Sequence, residues 1–415
     1  MPHQSIYHES LRFNDHQLFM DAVPLHQIAV EVGTPTYVYS LKRLLHNYDT
    51  LQDAFGDYEC DIHFSAKANN NLTLLRTLIQ HGAGVDTVSA GEIYCALQAG
   101  AKPEDIVFAG VGKTPAELRY AVEQNIGWVN IENTLEAHLL NEIAGELGKT
   151  MRVAVRYNPE VEANTHKHIA TGHGGAKFGL TAQAVRDLWD RRAQLPHLSF
   201  EAIHIHIGSQ LGDTLATQKA VHYVLELIQD YPFIQTINIG GGFPVAYKDG
   251  VDLPSPADFA RDLVALKPYH IILEPGRSIV ADAGILLSQV TYIKQHGGNQ
   301  FLILDTGMTE LIRPALYSAH HEIVPLTKTP APVEAYTVVG PICETTDVLS
   351  QECLLPTQQA GDYLALLTVG AYGRVMMSRY NARLNPTEVA IGLEGQSWSV
   401  VRRRDTFEDL LRSEI

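Results

Sequence analysis

The chain has 415 residues, of which 45% are hydrophobic and 19% are charged, and its formal net charge is -16. This length exceeds what one hydrophobic core usually organises, so we expect two domains. An acidic surface repels nucleic acid and anionic membranes, so neither is expected as a partner. Four cysteines without a Cys-x-x-Cys pair, and no basic-then-apolar leader, predict reduced thiols in a cytoplasmic protein.

Short apolar segments alternate with amphipathic helical stretches between about residue 61 and residue 276. The predicted strands are 61–66, 84–88, 105–109, 127–131, 151–157, 200–207, 236–239 and 270–273. Several are apolar throughout, which is typical of strands that helices cover on both faces. Eight such units favour a closed (β/α)8 barrel, placed at 36–283, over an open doubly wound sheet.

Capping signals follow closely on the predicted strands. Ser89 with Glu92, and Thr114 with Glu117, have the spacing of capping boxes, and Pro115 stands at a first helical position. The loops from strand to helix are therefore short, as a barrel requires.

The pattern changes to strands and turns after residue 283. Candidate strands are 285–294, 301–304, 335–339, 362–368 and 388–402. They predict a mostly antiparallel β domain formed by residues 1–35 and 284–415.

Lys67 follows the first predicted barrel strand directly. A lysine beside a buried strand is costly unless its charge is paired or its pKa is depressed, and a depressed pKa makes the amine a nucleophile. The alternative is a lysine that extends its ammonium to solvent. Taken alone, the position slightly favours this alternative, and the other residues of the set decide between the two.

His204 and His206 end the sixth predicted strand, where alternation directs both side chains the same way. They could form a metal pair, or His206 could lie against a planar ring while His204 is a core residue. A metal needs further ligands at other strand ends, and no matching set of Asp or Glu is found, so no metal is expected.

The last two predicted strands end in groups that suit a phosphorylated ring. Gly240, Gly241 and Gly242 allow backbone N–H groups to approach an anion, and this position is the usual phosphate site of a barrel. Glu274 follows the eighth strand, with Gly276 and Arg277 after it. A lysine, a phosphate loop and an acid for a pyridinium are the set that pyridoxal 5'-phosphate (PLP) requires.

Further motifs extend this pattern over nearly the whole chain, and the chain resembles the fold-type III PLP-dependent decarboxylases, in particular the diaminopimelate decarboxylase family. The motifs are Gly33–Tyr39, Ser65–Asn69, Gly84–Glu92, Thr171–Gly172 leading to Lys177–Gly179, His206–Gln210, Gly240–Gly242, Glu274–Arg277, Leu311–Tyr317, Gly340–Glu344 and Gly370–Gly373. The last three lie in the predicted β domain and are the most specific.

The resemblance implies a role for each matching residue. Lys67 would carry PLP as a Schiff base, His206 would stack on the ring, and Glu274 would pair with the ring nitrogen. The other implied cofactor-binding residues are Asp86, Ser209, Gly240, Gly241, Gly242, Gly276, Arg277 and Tyr372. The implied substrate-binding residues are Arg277, Arg313, Tyr317, Glu344 and Tyr372. Cys343, as proton donor, and Glu344 would come from the partner subunit of a homodimer.

Three functions are compatible with these residues. The resemblance implies decarboxylation of meso-2,6-diaminopimelate to L-lysine. A sibling decarboxylase would act on ornithine, arginine, or a carrier-bound or siderophore-pathway amino acid, and a non-catalytic PLP-binding protein would need neither Cys343 nor Arg313. Arg313, Tyr317 and Glu344 together suit a distal group that bears both a carboxylate and an ammonium, which favours the first.

Overall fold

The computed structural model describes residues 5–161 and 177–414, and the chain divides into two compact units. The first, here called the barrel unit, comprises 47–244 and 253–278; the second, the β unit, comprises 1–46, 245–252 and 279–415. The sequence places the boundaries at 35/36 and 283/284. The Thr171–Gly172 motif and residues 173–176 lie outside the described residues.

The barrel unit contains eight parallel strands that close on themselves in chain order. The strands are Cys60–Ser65, Gly84–Thr87, Ile106–Phe108, Trp128–Ile131, Met151–Arg156, Leu198–His204, Thr236–Gly240 and His270–Leu273. Each corresponds to one predicted strand, so the predicted (β/α)8 barrel is confirmed. Most residues of these strands are buried, as their largely apolar sequences require.

Helices lie before, between and after the barrel strands, and two of them begin at the predicted capping positions. They are Leu41–Ala54, Leu72–Gln80, Ala90–Ala99, Pro115–Gln124, Thr134–Glu146, Ala182–Asp190, Leu215–Ile228, Pro256–Asp262 and Arg277–Val280. Thr114 and Glu117 form a complete capping box. At Ser89 the hydroxyl accepts from the Glu92 N–H at 3.2 Å, but the Glu92 carboxylate accepts from the Val88 N–H at 2.9 Å. In the capping motif at Ser89, the carboxylate therefore binds the N–H of the residue before the cap and not the N–H of Ser89 itself.

Alternation along the strands separates an apolar layer of the barrel interior from a polar one. Val107, Trp128, Ala154, Ala202 and Ile272 form a buried apolar cluster. On four of these strands, a polar residue stands two positions after the apolar one, either within the strand or just beyond its end. Because side chains alternate along a strand, these polar side chains face the same barrel interior, but nearer the carboxyl ends of the strands. These buried residues are Asn130, Arg156, His204 and Glu274. The chain therefore concentrates its polar interior at the end of the barrel where barrel enzymes place their sites.

The β unit contains a nine-stranded mixed sheet, mostly antiparallel, and a three-stranded meander. The sheet strands are Thr36–Ser40, Gly284–His296, Asn299–Leu304, Ile323–Pro325, Val333–Val339, Val348–Pro356, Tyr363–Leu366, Thr387–Ile391 and Trp398–Arg402; the meander strands are Leu11–Asn14, Gln17–Met20 and Val23–Pro24. The helices are Leu25–Val32, Arg313–Tyr317 and Phe407–Leu411.

Three features of the β unit differ from the sequence expectation. Residues 388–402 form two strands instead of one, and Ile323–Pro325 and Val348–Pro356 are additional. Thr36–Ser40 pairs with Gly284–Leu287 and Thr387–Ile391, so this strand belongs to the sheet although it lies inside the range predicted for the barrel. Among the described residues, no helix is both long enough and apolar enough to cross a bilayer.

Candidate active site

Lys67 lies in a single 3-10 turn, Ala66–Ala68, that follows the first barrel strand. Its Nζ lies 2.6 Å from Asp86 Oδ2, and the same oxygen accepts a hydrogen bond from Ser65 Oγ at 2.7 Å. The Asp86 side chain is fully buried, whereas that of Lys67 is 37% exposed. Burial raises the pKa of Asp86 although Lys67 opposes it. The turn therefore presents a primary amine at the carboxyl end of the barrel, beside a buried acid.

Glu274 follows the eighth strand and lies at the centre of a buried polar network. Its Oε1 accepts from Asn238 Nδ2 at 2.6 Å and from Asn130 Nδ2 at 3.3 Å, and its Oε2 lies 3.2 Å from His204 Nε2. Burial alone would raise the pKa of Glu274, but His204, Lys67 and Asn238 outweigh burial and lower it. Glu274 is therefore a carboxylate held in one orientation.

His206 is a half-buried, neutral imidazole. Its Nδ1 accepts a hydrogen bond from the Gly241 N–H at 3.2 Å, so in the neutral ring the proton is on Nε2. Burial, with Arg156 and Lys67, lowers the pKa of His206 well below its usual value. A neutral ring in this position can lie against a flat π-system without carrying charge into it.

The glycine-rich loop and Arg277 provide donors at the last two strand ends. Gly240 has φ +67°, and a Cβ there would lie 2.5 Å from His206 Nδ1. A Cβ on Gly241 would lie 2.5 Å from the Glu274 carbonyl oxygen. Both positions therefore exclude a side chain. Arg277 donates to Ser209 Oγ through Nε and Nη2, each at 3.2 Å.

These residues fit PLP. The set contains an amine for the aldehyde carbon, a fixed carboxylate for the ring nitrogen, a neutral imidazole, and glycine, serine and arginine donors for a phosphate. Asp86 Oδ1 and Asn130 Oδ1 are buried and, among the described groups, accept no hydrogen bond. A site with acceptors left over is suited to a ligand that brings donors of its own.

The barrel unit thus brings together most of the residues that the sequence singles out. They are Lys67, Asp86, His206, Ser209, Gly240, Gly241, Gly242, Glu274, Gly276 and Arg277. In the described ranges 5–161 and 177–414, no group of three or more His, Cys, Asp or Glu residues is arranged to hold a metal ion.

The remaining predicted residues lie in the β unit. Arg313 is buried and begins the short helix Arg313–Tyr317, with Tyr317 half-buried at its end. Cys343 is exposed, and its backbone N–H donates to Asn381 Oδ1 at 2.8 Å. Glu344 belongs to the same turn, where its carbonyl accepts from the Asp347 N–H at 3.1 Å. Tyr372 is half-buried with φ +57°.

Three side chains contact the Glu274 carboxylate without having a predicted role in binding it: Asn130, Asn238 and His204. For His204 the sequence suggests only a metal pair or a core residue. A signal was present, because an asparagine inside a buried apolar strand is costly without a partner. Both asparagines interrupt such strands, at Trp128–Ile131 and Thr236–Gly240.

Several known proteins are similar to this chain in sequence and in fold. Residues 41–281 match the family model "Pyridoxal-dependent decarboxylase, pyridoxal binding domain". A diaminopimelate decarboxylase of Aquifex aeolicus is 40% identical, with 99% of this chain and 98% of the relative covered.

Two solved structures of diaminopimelate decarboxylases in complex with L-lysine are also similar. The one from M. jannaschii has a TM-score of 0.92 at 34% identity, with 98% of each chain covered. The one from Helicobacter pylori has a TM-score of 0.89 at 36% identity, with 94% of this chain and 99% of that chain covered. The chain belongs to the diaminopimelate decarboxylase family of pyridoxal-dependent decarboxylases.

Proposed function

We propose that this enzyme removes one carboxyl group of meso-2,6-diaminopimelate as CO2, at the D-centre, and releases L-lysine. The observation that carries the proposal is the convergence of Lys67, the glycine-rich loop and the buried Glu274 carboxylate at the carboxyl end of one closed barrel. Family membership supports PLP as the cofactor and diaminopimelate as the substrate.

Lys67 would hold PLP through its amine, and Ser209, Gly240, Gly241, Gly242, Gly276 and Arg277 would hold its phosphate, with Tyr372 assisting. The cofactor supplies an electron sink for the pair left on the α-carbon when CO2 departs. Glu274 would keep a proton at the ring nitrogen, because a carboxylate that Asn238 holds in a fixed orientation stabilises a nearby positive charge. An arginine at this position would not hold that proton, so Glu274 favours decarboxylation over racemisation.

The distal end of the substrate sets the choice among amino acids. Arg313 would bind the distal carboxylate through its planar fork, together with Tyr317 and Arg277. Ornithine and arginine carry no distal carboxylate, and their cationic ends would be repelled by Arg313. This chemistry favours diaminopimelate over the substrates of sibling decarboxylases.

The proposal includes a homodimer with shared sites in the cytoplasm. Cys343 would protonate the α-carbon after CO2 leaves, because a thiol is a competent acid at neutral pH. Glu344 would bind the distal ammonium. Both would act in the site of the partner subunit, which suits their exposed turn in the described chain.

A substrate panel tests this function. The purified enzyme is supplied with PLP and, separately, meso-diaminopimelate, L-ornithine, L-arginine and D-lysine, and CO2 and amine products are measured. We expect CO2 and L-lysine from diaminopimelate alone. Lys67→Ala should remove this activity, whereas Lys102→Ala, at an exposed lysine, should retain it. CO2 from ornithine or arginine, with none from diaminopimelate, would contradict the proposal.

A further inference from the structure

Arg313 is a buried arginine of the β unit, with 7% of its surface exposed. Two side chains of the same unit contact its guanidinium group. His321 Nε2 lies 2.8 Å from Nη1, and the Tyr247 ring centroid lies 4.9 Å from Cζ. These two contacts constrain the orientation of the guanidinium group.

The hydrogen bonds of His321 determine its protonation. Its Nδ1 lies 3.0 Å from the Leu367 carbonyl oxygen, which can only accept, so Nδ1 carries a proton. Arg313 Nη1 can only donate, so Nε2 must present its lone pair. Buried His321 is therefore the neutral Nδ1–H tautomer, and it joins the main chain at Leu367 to one corner of the Arg313 fork.

Tyr247 completes the support. Its ring packs edge-to-face on the His321 ring, with centroids 5.3 Å apart and an interplanar angle of 90°. It lies in residues 245–252, which belong to the β unit although they interrupt the barrel sequence. Asp249 in this segment accepts from Ser5 Oγ at 2.8 Å and from the Ile6 N–H at 2.9 Å. These bonds tether the segment to the amino-terminal part of the β unit.

We propose that His321 and Tyr247 are positioning residues that fix the plane of Arg313 for the distal carboxylate of the substrate. A bidentate arginine–carboxylate pair needs the fork in one orientation, and a hydrogen bond at one corner with a ring beneath it provides this. The inference rests on the proposed function, in which Arg313 binds that carboxylate. The preference for a substrate with a distal carboxylate then depends on two residues outside the Leu311–Tyr317 motif.

Two histidine variants separate this role from a purely structural one. His321→Asn places an amide where Nδ1 stands and can keep the bond to Leu367, but it is too short to reach Arg313. His321→Gln places an amide oxygen near the position of Nε2 and can still accept from Arg313. His320→Asn is the control, because His320 is exposed and pairs with Glu322 at 3.0 Å.

The experiment measures KM and kcat for meso-diaminopimelate and the affinity of the holoenzyme for L-lysine and for cadaverine, which lacks the carboxylate. In His321→Asn we expect KM to rise about 10-fold and L-lysine binding to weaken about 10-fold, the loss expected for one hydrogen bond to a charged group. Cadaverine affinity and kcat should stay within about 3-fold of wild type. His321→Gln should recover most of the loss.

Tyr247→Leu provides an independent variant at a half-buried position, and it should weaken L-lysine binding and spare cadaverine in the same way. Equal losses for L-lysine and cadaverine, or no loss in either variant, would overturn the inference. The wild-type substrate panel tests the proposed function separately. A wild-type enzyme that bound L-lysine no better than cadaverine would overturn the inference whatever its substrate.

Discussion

Lys67 Nζ and Asp86 Oδ2 lie 2.6 Å apart, and they join an amine that is partly open to solvent to a carboxylate that is fully buried. A buried carboxylate has no access to water and depends on the groups that solvate it, here Ser65 and Lys67. The pair therefore fixes the lysine at the barrel end before any ligand arrives. Since the amine is the exposed member, it is the one that an aldehyde can reach.

Substitution of Lys67 by alanine tests whether this amine holds the cofactor. We expect Lys67→Ala to lower kcat by at least about a thousandfold, because the group that anchors and exchanges the cofactor is lost. After incubation with PLP and desalting, the variant should lack the visible absorbance of bound cofactor. Retention of that absorbance together with wild-type turnover would remove Lys67 from its role.

Substitution of Glu274 by glutamine tests the electrostatic role of the buried carboxylate. The amide keeps the shape of the side chain and can still accept from Asn238, but it carries no negative charge for a ring nitrogen. We expect kcat to fall roughly 100-fold, as when one preorganised electrostatic group is removed, while the protein stays folded. The checks are steady-state kinetics and circular dichroism. Asn238→Ala, which removes one donor to the carboxylate, should have a smaller effect in the same direction.

Glu92 predicts a pH dependence of stability. Burial raises the pKa of Glu92 to about 7 from a usual 4.5, against the Val88 N–H bond that lowers it. Between about pH 4.5 and pH 7, the folded chain therefore keeps the proton on Glu92, whereas the unfolded chain releases it. The stability that this proton contributes is complete below about pH 4.5 and is lost as pH rises through about 7.

Glu92→Gln removes this titration and keeps the acceptor for Val88. We expect the variant to gain roughly 2 kcal/mol of unfolding free energy relative to wild type at about pH 8, and little at about pH 5. Urea denaturation at the two pH values measures both. If the difference in unfolding free energy between wild type and variant were the same at both pH values, Glu92 would be ionised in the folded chain at both, and the prediction would be wrong.

Mixing two inactive variants tests the shared sites. If Cys343 acts in the partner's site, a heterodimer of Lys67→Ala and Cys343→Ala chains has one site with both defects and one with neither. Random reassociation of equal amounts should then recover about one quarter of wild-type activity. Sites contained within single chains would recover none.

The barrel could be predicted from the sequence because its strands carry the signal on their own. Segments such as Met151–Arg156 and His270–Leu273 are apolar over most of their length, so no partner strand is needed to recognise them. Lys67 and the glycines at 240–242 could be singled out because they stand at the ends of such strands, and their predicted roles follow from the whole set together with the family resemblance. The predicted cofactor-binding residues can therefore be recognised from the short segments of sequence around them.

The features that the sequence did not reveal depend on partners distant along the chain. Thr36–Ser40 is buried throughout and pairs with a strand on each side, so its sequence resembles that of a barrel strand. Val348–Pro356 is largely half-exposed or exposed and has little apolar alternation to mark it. The placement of Tyr247 beside Arg313 depends on a segment that leaves the barrel sequence to join the other unit, which no local pattern encodes.

The most direct measurement locates the cofactor on the chain. The enzyme is incubated with PLP, reduced with borohydride so that a carbon–nitrogen bond to a lysine becomes permanent, digested, and its peptides are weighed by mass spectrometry. We expect one pyridoxyl group, on Lys67. Modification of another lysine, such as the buried Lys113 that pairs with Glu136, with Lys67 unmodified, would contradict it.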